Sequence, residues 1–235
     1  MSGQRTVKVI AKIKSDFPTK FGIPRQSGIA EETESLIVFE PEYRDESALK
    51  GIEGFSHIWI IWEFSESVRD DWSPTVRPPR LGGNERLGVF ATRSPFRPNP
   101  IGLSCVRLLG VEKSKKYGAA LRVAGADLMD GTPIYDIKPY LPYTDSRPGA
   151  VGGFAEPLER YELEVVIPEK LERLVPENKR ASLRTVLAQD PRPGYQRDPE
   201  REYGFPFAGL EVKFRADEKT LTVFDIKASE GEEEK

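Results

Sequence analysis

The 235-residue chain carries one cysteine, one histidine and two methionines. A single thiol cannot close an internal disulfide. Cys105, set in IGLSCVRLL, reads as a strand interior, so it is expected to be a buried structural thiol and not a nucleophile. One histidine, His57, excludes a multi-histidine metal site, and the carboxylates fall at no recognisable zinc or calcium spacing, so no protein-held metal is expected. No stretch is long and apolar enough to span a bilayer, and the N-terminal MSGQRTVKVIAKIK alternates its apolar residues where a secretory signal needs a continuous run. The expected setting is the cytoplasm, away from membranes. Neither G-x-G-x-x-G nor a Walker A segment occurs, and helical periodicity is scarce before Pro157. Both absences disfavour a doubly wound nucleotide-binding sheet. Positive charge is not in excess either, since 35 basic residues face 38 acidic ones for a formal net charge of -3.

What positive charge there is has been concentrated. From Arg77 to Ser104, RPPRLGGNERLGVFATRSPFRPNPIGLS, five arginines stand among prolines and glycines with only Glu85 opposing them. Proline fixes φ and glycine opens conformations other residues avoid, so the segment is expected to be a shaped loop. Guanidinium forks suit carboxylates, phosphates and base edges, which points to an anion or nucleic-acid site; the alternative is a Pro-rich surface loop with solvated charges. The acidic balance does not exclude nucleic acid, because electrostatic footprints are local and part of the negative charge sits in the tail SEGEEEK.

Apolar alternation at Val7, Val9, Ala11 and Ile13, and β-rich runs at Leu36 to Phe39, His57 to Phe64, Leu87 to Ala91, Gly102 to Val111 and Ala119 to Leu128, read as strands. Asp130-Gly131 between two such runs is a hairpin signal. This half is expected to be an antiparallel sheet or closed barrel. Pro and Gly then accumulate through Leu141 to Pro157, and the period changes. Glu159 to Ile167 reads as a strand, Asn178 to Gln189 as a helix stopped by Pro191, and Leu210 to Phe214 with Thr220 to Ile226 as a closing hairpin. The expected division is a β-barrel domain over 1–145, a linker over 146–158, a small α+β domain over 159–228 and a disordered acidic tail over 229–235. The fold class is mainly β.

The segments FGIPRQSG, GFSHIWIIWEF, PTVRPPRLGGNERLGVFATRSPFRPNPIGLS, DLMDGTPIYDIKPYLPY and AQDPRPGY resemble, in order, the motifs of the TsaA-like or TrmO-type tRNA methyltransferases. The resemblance covers roughly Val7 to Tyr195. It implies an antiparallel β-barrel catalytic domain, S-adenosylmethionine as methyl donor, and a homodimer with the cofactor near the subunit interface. It also implies methylation of N6 of N6-threonylcarbamoyladenosine at position 37 of the tRNA anticodon loop. Matched motifs carry cofactor contacts to Pro24, Arg25, Gln26, Ser65, Glu66, Arg93, Leu103 and Asp127. Family members often have His-Gln where this chain has Ser65-Glu66, so Glu66 is expected to accept from the adenine amine or a ribose hydroxyl instead.

The substrate so implied has a phosphate backbone and a free carboxylate, which gives the arginines work. Arg77, Arg80, Arg86 and Arg97 are the expected tRNA contacts, with Lys138 joining them. Arg192 either joins them too or belongs to a helix-ending turn with Asp190 and Pro191. Methyl transfer from a sulfonium needs chiefly alignment, whereas the acceptor nitrogen, conjugated to purine and carbonyl, needs its proton removed. Asp127, Asp130, His57 and solvent are the candidate acceptors, Asp127 and Asp130 being the catalytic expectation. Two other readings stay open: a non-catalytic sensor of S-adenosylmethionine or a nucleotide, and a methyltransferase on another acceptor.

Overall fold

This computed structural model describes residues 3, 5–69, 71–78, 81, 85–155, 162–192 and 198–229. Arg80, residues 156–158 of the expected linker and residues 230–235 of the tail lie outside them.

The first half contains β1 (Ala11–Lys14), β2 (Glu34–Phe39), β3 (His57–Glu63), the two-residue strands β4 (Thr75–Val76) and β5 (Leu87–Gly88), then β6 (Ile101–Ser114), β7 (Gly118–Ala124) and β8 (Pro133–Pro139). Six of these form a closed barrel in the order β1-β2-β7-β6-β3-β8, with every pairing antiparallel. Alternation does the sorting: in β3, Ile58, Ile60 and Trp62 turn inward, and in β6 Gly102, Ser104, Val106 and Leu108 do. The barrel interior is filled by Ile13, Ile37, Ile58, Ile60, Leu121, Val123 and Ile134. Val7 and Val9 precede the first strand, which begins at Ala11.

Two expectations need correction. The run Leu87 to Ala91 is strand only at Leu87–Gly88, after which Val89–Ala91 turns as a 3-10 helix. Asp130-Gly131 does make a turn, with Gly131 at φ +78°, but it does not join paired strands. β7 lies between β2 and β6, while β8 crosses to lie between β1 and β3. The dipeptide fixes a local reversal; barrel closure chooses the partners.

The second half begins with α1 (Pro142–Asp145), β9 (Glu164–Val166), α2 (Glu169–Glu172) and α3 (Glu177–Ala188), and ends with β10 (Tyr203–Phe207), β11 (Leu210–Ala216) and β12 (Thr220–Ala228). The sheet order is β10-β11-β12-β9, with β9 parallel to β12 and the other pairs antiparallel. Leu183, Val186 and Leu187 bury one face of α3. The helix stops where Asp190, at φ +50°, turns into the left-handed region ahead of Pro191. Phe17 and Ala30, although they belong to the segment between β1 and β2, are buried in this second core. Phe17 packs on Phe207 with centroids 5.6 Å apart, and Phe21 meets Phe205 edge-on at 6.1 Å.

Candidate functional site

β1, β3 and β7 end, and β2, β6 and β8 begin, at the same mouth of the barrel. A cavity of about 300 Å³ opens there. Its walls come from four connections: Lys20 and Ile23 to Gln26 after β1, Trp62 to Ser67 around the end of β3, Arg93 and Pro95 from the arginine loop, and Asp127, Met129 and Thr132 after β7. Of the residues expected at a cofactor, Pro24, Arg25, Gln26, Ser65, Glu66, Arg93 and Asp127 meet in this one cavity.

Leu103 does not. It alternates onto the outer surface of β6 and is 54% exposed.

Backbone fastenings hold the walls. Gly28 N–H donates to the Gly125 carbonyl at 2.9 Å, Gly125 N–H to Thr33 at 3.0 Å, and Cys105 N–H to Ser27 Oγ at 3.2 Å. At Gly125 (φ +78°) an added Cβ would stand 3.3 Å from the Gly28 backbone, so a side chain there would be strained and would press the two segments apart. Lys20 Nζ donates to the Glu66 carbonyl at 2.6 Å, tying the first wall to the 3-10 turn Ser65–Ser67. In the arginine loop, Thr92 N–H and Oγ1 both donate to the Val89 carbonyl, Ser94 N–H donates to Thr92 Oγ1, and Arg97 donates to the Thr92 carbonyl at 3.1 Å. From Val89 to Arg97 the segment is shaped, as its Pro/Gly content implied.

The electrostatic centre is Asp127. Trp62 Nε1 donates to Ser104 Oγ at 2.9 Å, and Ser104 donates in turn to Asp127 Oδ1 at 2.5 Å. Burial pushes the Asp127 carboxyl above the ordinary aspartate value; Ser104, the backbone N–H groups of Asp127 and Ser27, and the charge of Arg93 pull it back only in part. Arg93 also donates to Gln26 Oε1, so guanidinium and amide are presented together. Ser104 was not singled out in the sequence; a buried hydroxyl facing into a barrel is the signal that finds it. At the rim, burial and the Glu63 carboxylate raise the Tyr135 phenol to about 12.

The other expected residues fall elsewhere. Asp130 accepts from Ser15 N–H at 2.9 Å and faces Lys14 Nζ at 3.4 Å, outside the cavity lining. His57 starts β3, six residues from the end that borders the cavity, with Nδ1 2.9 Å from Ser56 Oγ. Arg77 and Arg86 are exposed beside the β4–β5 ribbon, where Arg86 donates to Thr75 Oγ1 at 2.9 Å. Arg97 is half-buried, and Arg80 lies outside the described residues. Lys138 stands opposite Trp59 on β3, paired with Asp136 at 2.8 Å and away from the arginine loop's end of the barrel.

Arg192 is a correction. It is 6% exposed, pairs with Asp190 at 2.7 Å, and donates to the Ala216 and Asp217 carbonyls at 2.6 and 2.8 Å. The fork stitches the end of α3 to β11, which is the helix-ending turn with Asp190 that the sequence left open as the other reading.

Among the described residues no cluster of His, Cys, Asp and Glu is suited to a metal ion. No helix there is long and apolar enough to cross a membrane. Cys105 corrects the expectation of a buried thiol: it is half-buried, on the face of β6 opposite the inward set, where partial burial and the nearby Asp145 raise its thiol.

Two family models match the chain: the tRNA-methyltransferase O N-terminal domain over residues 12–146 and the TrmO C-terminal domain over 161–229. The chain is 40% identical over 225 residues to the tRNA (adenine(37)-N6)-methyltransferase of Escherichia coli, covering 92% of this chain and 95% of that protein. It is 41% identical over 215 residues to a putative S-adenosylmethionine-dependent methyltransferase, RcsF, of Pseudomonas aeruginosa, covering 88% of this chain and 90% of that one. Among solved structures, TrmO from the same organism superposes with a TM-score of 0.79 at 33% identity, covering 97% of this chain and 99% of that chain.

Proposed function

This chain belongs to the tRNA-methyltransferase O family, and from that membership together with the cavity we propose that it transfers a methyl group from S-adenosylmethionine to N6 of N6-threonylcarbamoyladenosine at position 37 of tRNA. The observation that carries the reading is the convergence of Gln26, Glu66, Arg93 and Asp127 on one cavity at the barrel mouth. It acts as a homodimer in the cytoplasm, with the outward-facing Ile101 and Leu103 of β6 turned toward the partner subunit. Leu103 then serves the cofactor only through the subunit interface.

The residues present fit the cofactor. A cavity of about 300 Å³ lies at the lower end of the roughly 300–1,000 Å³ usual for small-molecule sites. Its lining offers an apolar side in Ile23, Pro24, Phe64 and Met129 for a purine, and a guanidinium and amide in Arg93 and Gln26 for a carboxylate. Glu66 supplies an acceptor for a ribose hydroxyl or the adenine amine. When bound, the cofactor supplies an electrophilic methyl on a positively charged sulfur.

The chain's own residues then have two tasks. The walls align the acceptor nitrogen with that methyl and keep water out, which is most of what a displacement with a neutral leaving group requires. The acceptor nitrogen must also lose its proton. Asp130 and His57 are placed outside the cavity, so we assign this task to Asp127, whose desolvated carboxyl binds a proton more readily than an ordinary aspartate. The exposed Arg77 and Arg86 neutralise backbone phosphates.

The test is incubation with labelled S-adenosylmethionine and tRNA from cells that have or lack the threonylcarbamoyl group, followed by nucleoside analysis. Label in N6-methyl-threonylcarbamoyladenosine, from the modified tRNA only, is the expected result. Label in both preparations moves the acceptor to another base; label in neither removes the reading.

A further inference from the structure

Close in sequence to Arg93 and Pro95 of the cavity wall stands a group of aromatic rings that does not line the cavity. β4 and β5 pair Thr75 with Gly88 and Val76 with Leu87, and Val89 N–H donates to the Pro74 carbonyl at 2.9 Å. The ribbon therefore brings Trp72, just before β4, next to Phe90, just after β5. Their ring centroids are 6.1 Å apart and their planes 31° from parallel. Trp72 is 51% exposed and Phe90 72%. Close by in sequence, Arg69 lies over the face of Phe96, 4.0 Å from its centroid.

Large aromatic side chains this exposed call for a partner. The stretch from Arg69 to Arg97 holds six arginines against three acidic residues. A second copy covering the rings with this same stretch would have to desolvate guanidinium groups with too few carboxylates to receive them. Single-stranded RNA meets both needs at once, its phosphates facing the arginines and its bases offering flat faces to the rings. The spacing also suits it: Phe90 is three residues from Arg93 in the cavity wall, a reach of at most about 10 Å for extended chain.

We infer that Trp72 and Phe90 form a stacking platform for unpaired anticodon-loop bases flanking the nucleoside in the cavity, with the Arg69–Phe96 pair at its edge. The inference rests on the proposed tRNA reading and adds how the loop is opened. Bases splayed onto the platform leave the target nucleoside unstacked and free to enter the barrel mouth.

The experiment titrates the full chain with a fluorescent anticodon stem-loop, using Trp72→Ala, Phe90→Ala and Trp72→Phe, and repeats it with a stem-loop made abasic at the nucleotides flanking the target. Each alanine variant is expected to bind the intact loop about 5- to 150-fold more weakly, the range of one lost stacking contact. Trp72→Phe should stay within a few-fold of the parent. The abasic loop should bind the parent at least as weakly as the intact loop binds either alanine variant, and each alanine substitution should cost less on the abasic loop than on the intact one. Alanine variants that bind the intact loop like the parent overturn the platform and leave the methyltransferase reading standing. A sedimentation shift from dimer to monomer in these variants also overturns it, because the rings would then belong to a subunit interface. A parent chain that binds neither loop removes the methyltransferase reading, and the platform with it.

Discussion

Asp127 keeps a half-buried carboxyl in the cavity wall, hydrogen-bonded by a hydroxyl and two backbone N–H groups with the charge of Arg93 nearby. Its value in the folded state is raised above the unfolded one. The stability linked to it is therefore fully present below the unfolded value, about 3.9, and is lost as pH rises through the folded value. At neutral pH the empty site carries this cost. Comparing thermal unfolding of the ligand-free parent and Asp127→Asn between pH 4 and 8 should show the parent losing ground as pH rises, while tRNA methylation in the variant falls by about 10²- to 10⁴-fold. Retained turnover would hand the proton to solvent. At the exposed arginines the expectation differs in kind: Arg77→Ala should weaken binding of all tRNAs alike and lower the slope of log affinity against log salt by about one. The motif around Asp127 was legible because its residues are distinctive. Ser104 and Leu103 were not, since Ile101, Leu103 and Cys105 look like the inward set of β6 in isolation. The opposite set, Gly102, Ser104, Val106 and Leu108, faces the core.

At the scale of elements, the inward set of β6 explains a packing detail that reaches the site. Gly102 lies against the Trp62 indole so closely that an added Cβ would run into the ring, although its backbone is ordinary. Gly102→Ala should cost about 1–3 kcal/mol through overpacking. It should also weaken cofactor binding, because Trp62 lines the cavity and begins the Trp62–Ser104–Asp127 chain. Urea unfolding alongside calorimetric titration of S-adenosylmethionine separates these effects; lost stability with unchanged binding would mean that the indole relaxes without moving Ser104. The turn after α3 makes the complementary case. Arg192→Ala leaves Asp190 without its guanidinium and two carbonyls without their donor, and should destabilise by about 3–5 kcal/mol. The salt dependence of tRNA binding, in contrast to Arg77→Ala, should not move. Strands and α3 could be read from periodicity, since burial on one face leaves a repeating pattern. The β7-to-β8 connection could not, because a turn dipeptide carries no record of which strands lie on either side.

Across the whole molecule, the two cores are tied through the segment that also builds the first wall of the cavity. Phe17 is fully buried among residues of the second core, Lys179 pairs with Asp16 at 2.6 Å in a largely buried contact, and Ser182 Oγ donates to the Glu32 carbonyl at 2.7 Å. At Gly22 (φ +88°) an added Cβ would run into the Phe205 ring, so chain and core touch there without a side chain between them. The division into two units shows in the sequence as a change of period. Their fastening does not, because an apolar residue in a connecting segment looks the same whichever core receives it. Pro24 and Arg25 line both the main cavity and a smaller recess of about 150 Å³ against Val186 and Asp190. Loosening the second core should therefore reach the first. Phe17→Ala should cost about 3–5 kcal/mol, keep unfolding a single cooperative transition, and lower affinity for S-adenosylmethionine although residue 17 does not line the main cavity. Two transitions, only one of them shifted and with binding intact, would show that the units stand independently and that the wall from Lys20 to Gln26 is held by the barrel alone.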